Sequence, residues 1–178
     1  MGRSANRVYD SAYPYFITSS VVEGYPIFAN PPAADILLNA LCFLQEQRDA
    51  RLYAYVIMEN HIHMVIQANK LSSNIQAFKS WTARSIIDLF ADIGRYLHLS
   101  KLKRAKNPSH TDSIHQLWQE GFHPVHIYSD RMMIQKIEYI HRNPVQRGYV
   151  DHQEDWRYSS ARNYLGLDAL IPITLFEP

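Results

Sequence analysis

The sequence predicts an α+β fold, an antiparallel sheet with helices on one face and one further helix toward the C-terminus. Three observations carry this. Runs rich in β-branched and aromatic residues alternate with longer stretches of helical apolar spacing, in the order β-α-β-β-α-β-α. The second and third strand-like runs, "RLYAYVIM" and "HIHMVIQA", are separated only by Glu59-Asn60, a polar turn short enough for a hairpin. The other connections pass through helical segments that can cross a sheet. The first six elements are therefore the ferredoxin-like βαββαβ pattern. With 178 residues, enough to bury a core without staples, the chain reads as a single domain, 1–178, with its core at about 10–165.

"YPYFITSSVV" (13–22) is aromatic and β-branched and ends at Glu23-Gly24, a turn signal, which makes it the first strand. "NPPAADILLNALCFLQEQRD" begins with prolines suited to a first helical turn. It carries Ile36, Leu37, Leu41 and Leu44 at helical spacing, so a helix ends near Arg48. After the hairpin, "LSSNIQAFKSWTARSIIDLFADIGRYLHL" reads as one long helix. Ser72 or Ser73 is its N-cap, Ile75, Phe78, Ile86, Phe90, Ile93 and Leu97 form its apolar side, and Gly94 loosens its end. "SKLKRAKNPSHTDS" is polar, cationic and holds Asn-Pro, the composition of a mobile loop. "FHPVHIYS" is a fourth strand that Pro124 confines to an edge. "DRMMIQKIEYIHRN" is a helix capped by Ser129 or Asp130 and stopped by Pro144. The remainder, with "DWRYSSARNY", reads as short helical pieces packed on the rest.

Composition narrows the class. Apolar residues make up 47% and charged residues 20%, as in soluble globular proteins. The single cysteine, Cys42, can form neither an internal disulfide nor a thiolate metal site. The N-terminus carries no signal-peptide or myristoylation pattern, and "AADILLNALCFL" is too short and too polar to span a bilayer, so a cytoplasmic protein without membrane contact is expected. Charge is uneven. Residues 70–150 balance to +6, against −2 before and −3 after, which suggests one face for an anionic ligand.

"MENHIHMVIQ" (58–67) holds the chemistry. Residues i and i+2 of a strand share a face, so His61 and His63 project side by side, with Ile62, Met64 and Ile66 turned inward. Two such imidazoles can converge on a divalent metal, but a third ligand must come from elsewhere. The alternative is a hydrogen-bonded pair on a sheet face. Tyr139 and Asn143 stand four apart on the last helix and share a flank. An Asn carbonyl oxygen suits hard cations and a phenol can act as a nucleophile, although Tyr139 could equally be core and Asn143 a helix cap.

Four blocks in order, "VIMENHIHMVIQ", "LWQEGFHPVHI", "YIHRNPVQRGYV" and "DWRYSSARNY", resemble the single-tyrosine HUH transposases, most closely the REP-associated tyrosine transposases. The resemblance implies a metal-dependent enzyme that cuts single-stranded DNA beside hairpins and transfers the strand through a 5′-phosphotyrosine. By position, Tyr139 is the nucleophile. His61, His63 and Asn143 hold Mg2+ or Mn2+, and the enzyme is a monomer or homodimer. Phosphate contacts would fall to Lys79, Arg84, Lys101, Lys103, Arg104, Lys106, Arg142 and Arg147, and base stacking to Trp81, Trp118 and Phe122. Glu59-Asn60, where many relatives have Pro-Asn or Pro-Glu, would supply no ligand. Two other readings stay open: a domesticated hairpin-binding protein, and a phosphoesterase that uses water with Tyr139 merely structural.

Overall fold

The computed structural model describes residues 12–109, 113–121 and 124–178. The strands are β1 (Tyr15–Ser20), β2 (Arg51–Ile57), β3 (His61–Gln67) and β4 (Val125–His126); the main helices are α1 (Pro31–Gln47), α2 (Leu71–Asp92), α3 (Tyr96–Arg104) and α4 (Asp130–Gln146). A last short helix, α5, spans Ala161–Tyr164. The sheet order is β2-β3-β1-β4, and all three pairings are antiparallel. This is the ferredoxin-like topology expected from the element order, with β4 at an edge directly after Pro124.

Both faces of the sheet are covered, by different layers. Ile17, Leu52, Ile62, Met64 and Ile66 pack with Leu37 and Leu41 of α1 and with Ile75, Phe78 and Phe90 of α2. The opposite face, Phe16, Ala54, Val56 and Val65, packs under Met133, Ile137 and Ile140 of α4. A bulge at Tyr53 separates Leu52 from Ala54, so the two serve opposite faces despite lying two residues apart.

Several boundaries differ from those expected. The N-cap of α2 is Lys70, not Ser72 or Ser73, and no side chain caps it. The long helix breaks at Gly94, whose φ of +70° closes α2 with bonds from Gly94 N–H to Ala91 O and from Arg95 N–H to Phe90 O. Ile93 and Leu97 are consequently exposed and not part of the apolar side. Residues 100–104 of the presumed loop belong to α3, where Leu102 plugs into the core and Lys101, Lys103 and Arg104 lie on helix, and residues 110–112 of it lie outside the described residues. Pro144 sits inside α4 and does not stop it. A proline forfeits one intrahelical bond, and α4 ends within a turn of it. The stop is Gly148 at φ +71°, with Gly148 N–H donating to Val145 O and Tyr149 N–H to Pro144 O. Ser129 does cap α4, accepting from Met132 N–H at 3.3 Å. The tail is packed as expected: Thr174 N–H donates to Leu52 O at 2.8 Å, and Phe176 N–H to the Tyr164 hydroxyl.

Candidate active site and DNA interface

His61 and His63 face α4, so they are not outward groups. Each is only 6% exposed, and their ring centroids lie 4.7 Å apart. Register explains how they are held. His63 pairs with Thr18 across β1–β3, which brings Thr18 Oγ1 within 2.7 Å of His63 Nδ1. His61 Nδ1 lies 2.6 Å from Asn60 Oδ1, while the Asn60 amide N–H donates to Gly24 O at 3.2 Å. An amide oxygen only accepts, so His61 Nδ1 carries the proton and Nε2 keeps its lone pair. Burial, then the Arg147 cation, pushes His61 down to about 4. Burial, then His61, Arg147 and Lys136, pushes His63 down to about 3. Both imidazoles are therefore neutral near pH 7, the form that ligates metals.

Helix α4 brings Tyr139 to them within the same chain. The Tyr139 ring meets His63 at 5.4 Å and Phe16 at 5.8 Å between centroids, and Phe16 stacks on His63 at 5.4 Å. Tyr139 is 40% exposed, so the phenol is open to a substrate. One turn on, Asn143 is buried, and its Oδ1 has no hydrogen-bond partner among the described residues. A further turn on, Arg147 Nη1 lies 3.3 Å from Glu59 Oε1 in the hairpin turn. Asn143 thus sits on the flank between a residue touching His63 and one pinned two positions before His61. No group of three or more His, Cys, Asp or Glu among the described residues is placed to hold a metal. Two neutral imidazoles and the unpartnered amide oxygen of Asn143 are nitrogen and oxygen donors of types that ligate divalent cations.

Thr18, Phe16, Glu59 and Asn60 were not legible as site residues. The turn itself orients His61 through Asn60 and holds the end of α4 through Glu59 and Arg147. His141, two residues from Tyr139, is buried with Nε2 2.9 Å from Ser160 Oγ, and burial pushes it down to about 4.

The remaining expected contacts divide between two places. Lys79 and Arg84 line a cleft of about 920 Å³ between α2 and residues 113–121. That segment continues the open edge of β1: Val21 bridges Trp118, and Gln119 N–H donates to Ser20 O, whose register partner is His61. Lys79 Nζ donates to the carbonyls of Gln119 and Gly121, which fixes the segment, and burial pushes its pKa down to about 8. Arg84, Lys103 and Arg104 are exposed, Lys106 is half-buried, and Lys101 lies 5.4 Å from the Tyr25 ring centroid. Arg142 is exposed on α4, and Arg147 is exposed at its C-cap. Trp81 is half exposed on α2. Trp118 requires correction as a stacking residue. It is 5% exposed, packs between Phe28 and Phe78, and donates its indole N–H to Thr82 Oγ1 at 3.0 Å, so no ring face remains for a base. Phe122 lies outside the described residues.

A family model described as "Transposase IS200 like" matches residues 21–143. A Haemophilus influenzae protein named as a REP-associated tyrosine transposase is 25% identical over 107 residues, 60% of this chain and 56% of the relative. The chain therefore matches little more than half the length of that relative. A solved structure of a REP-associated tyrosine transposase bound to a REP hairpin matches with a TM-score of 0.70 at 19% identity. The match covers 100% of this chain and 93% of the other, a likeness in fold. Among the described residues no helix is long and apolar enough to cross a membrane.

Proposed function

This chain belongs to the IS200-like transposase family, and from that premise we propose that it nicks single-stranded DNA beside a hairpin and transfers the cut strand through Tyr139. The observation that carries the reading is the meeting, within one chain, of an exposed phenol, two buried neutral histidines and an unpartnered amide oxygen.

His61, His63 and Asn143 would hold a divalent cation, Mg2+ or Mn2+. When bound, such an ion supplies charge stabilisation to the phosphate oxygens of the scissile bond. The chain's own residues do the rest. The Tyr139 oxygen attacks phosphorus, losing its proton; the P–O3′ bond breaks and the departing oxygen takes a proton to become a 3′-OH. The 5′-phosphotyrosine conserves the ester bond, so a second 3′-OH can displace Tyr139 without an external energy source. Phe16 and His63 box the phenol ring on two sides, which limits its rotation and orients its oxygen. Thr18 and Asn60 hold the two imidazoles by their Nδ1 atoms, the outer-shell role that fixes a ligand's orientation.

For the substrate, the cleft between α2 and residues 113–121, lined by Arg84, offers a cationic region beside the Ser20 end of β1, and Lys103 and Arg104 are exposed on α3. Trp81 is an exposed ring on α2 outside the cleft lining, and Arg142 offers a cation on the tyrosine helix. The active site is assembled in cis in this reading, which requires no second subunit.

The test is a denaturing gel of the protein with labelled single-stranded hairpin DNA, with Mn2+ or with EDTA. A Mn2+-dependent covalent adduct that vanishes in Tyr139→Phe is the expected result. Cleavage without an adduct, unchanged in Tyr139→Phe, would overturn the nucleophile and leave water in its place.

A further inference from the structure

At the far end of the β1 edge from the cleft stands a row of aromatic rings that neither core cluster absorbs. Strand β4 is only two residues long and pairs with β1 alone, His126 opposite Tyr15 and Val125 opposite Phe16. Tyr13 meets the His126 ring edge-on at 4.8 Å between centroids, and the Tyr128 ring lies 6.2 Å from His126. All three are exposed, Tyr13 by 43% and Tyr128 by 73%. His126 rests on the buried Tyr15 ring at 5.3 Å between centroids, and the outer rings Tyr13 and Tyr128 leave aromatic surface in water.

We propose that Tyr13, His126 and Tyr128 form a stacking platform for unpaired bases of the DNA strand that leads to or from the bond cut at Tyr139. This rests on the transposase reading and adds a second contact region to it, distinct from the α2 cleft. Three observations favour unpaired DNA as the occupant. The platform is one strand position from the nucleophile's support: His126 packs on Tyr15 on the α1/α2 face, and its neighbour Val125 pairs with Phe16, whose ring on the opposite face touches both Tyr139 and His63. An edge strand lets a single strand pass from one face of the sheet to the other. Cations lie along that path. Lys136 Nζ is 4.8 Å from the Phe16 ring centroid, and Arg131 is exposed in the first turn of α4, three residues after Tyr128. They are placed to meet phosphates while the rings meet bases. An edge of two residues is also too short to recruit a peptide by strand addition, which needs a run of backbone pairings.

The chemistry recognised is the aromatic face common to all bases, so binding here is tolerant of sequence. Hairpin identity would be read elsewhere.

The experiment measures binding of an oligothymidylate of roughly 20 nucleotides in EDTA by fluorescence anisotropy, since stacking needs no particular base. Wild type is compared with Tyr128→Ala, Tyr128→Leu, Tyr128→Phe and the double variant Tyr13→Ala/Tyr128→Ala. Stacking contributions of this kind predict a loss of about tenfold in affinity for Tyr128→Ala, and more for the double variant. Tyr128→Phe should bind as wild type does, whereas Tyr128→Leu should follow alanine. Leucine binding as well as phenylalanine would overturn stacking. Equal binding by all variants would overturn the platform. Tyr128 is exposed enough that its loss should leave the thermal melt unchanged. The adduct gel separates this proposal from the one beneath it. Lost oligothymidylate binding with no Tyr139 adduct in wild type would sustain the platform and remove the transposase reading. An adduct with unaltered binding would do the reverse.

Discussion

The contact between Arg147 and Glu59 ties the end of the tyrosine helix to the turn before His61, and removing it should loosen both. Arg147 Nη1 lies 3.3 Å from Glu59 Oε1, with side chains 43% and 21% exposed. The other carboxylate oxygen, Oε2, is buried and has no hydrogen-bond partner among the described residues. Two unit charges about 4 Å apart attract by about 4 kcal/mol at the effective dielectric of a protein surface. Solvent around Arg147, and the entropy of holding a long side chain, reduce the net gain to about 1 kcal/mol or less. Truncating the arginine costs more than the pair is worth, because it strands a partly buried carboxylate, and an unsatisfied buried group costs about 1–3 kcal/mol. Arg147→Ala should therefore lose about 2 kcal/mol of stability, and Glu59→Gln less than 1 kcal/mol. The double variant should lose no more than Arg147→Ala alone, since no stranded charge is left. At about 2–4 °C per kcal/mol for a chain of this size, Arg147→Ala should melt about 4–8 °C lower. Urea unfolding near neutral pH in low salt measures all three. Strictly additive losses would refute the coupling, as would an Arg147→Ala protein as stable as wild type. In the second case, a loss confined to DNA affinity would assign the guanidinium to a phosphate.

Three further expectations bear on the site and its frame. The three buried histidines should make the protein acid-sensitive: His61 and His141 titrate at about 4 and His63 at about 3 in the fold, against 6.5 when free. Below 6.5 the unfolded chain therefore binds more protons, so stability should be full above that pH and decline as pH falls toward 4. A urea midpoint that stays flat from pH 7 to pH 5 would contradict their burial as neutral groups. Thr18→Val removes the hydroxyl at His63 Nδ1 and should weaken Mn2+ binding about 10- to 100-fold in titration calorimetry, with little change in fold; unaltered affinity would remove Thr18 from the site. Trp118→Ala empties a core position and should cost about 3–5 kcal/mol in denaturant unfolding, while the DNA affinity of the folded fraction stays the same. A drop in that affinity would restore Trp118 as a contact residue.

The order of elements was legible because hydrophobic period and turn chemistry are local properties. The hairpin around Glu59-Asn60 and the edge position after Pro124 follow from residues within a few positions of each other. Features set by a distant layer were not. Nothing in "HIHMVIQ" says that its histidine face lies beneath a helix some eighty residues on, so alternation reads as outward imidazoles when both faces are buried. The run "KLKRAK" has a single large apolar residue to declare itself helical, and Leu102 is buried where residues 113–121 meet α3. Trp118 lies where no periodicity exists to separate a core ring from a stacking one. Pro144 misled for another reason: the rule for proline as a helix stop concerns the interior, and Gly148 already ends the helix a turn later.

The same division explains the site. His61, His63, Tyr139 and Asn143 lie in short motifs and could be picked from sequence. What gives them chemistry comes from register and packing: Thr18 opposite His63, Asn60 bent back on His61, and Phe16 between His63 and Tyr139. Burial keeps the imidazoles neutral, and α4 both buries them and carries the phenol. A substitution that lifts α4 from the sheet should therefore disable the proposed ligands and the proposed nucleophile together. Loss of Tyr139 alone should leave the ligands intact and Mn2+ binding unchanged.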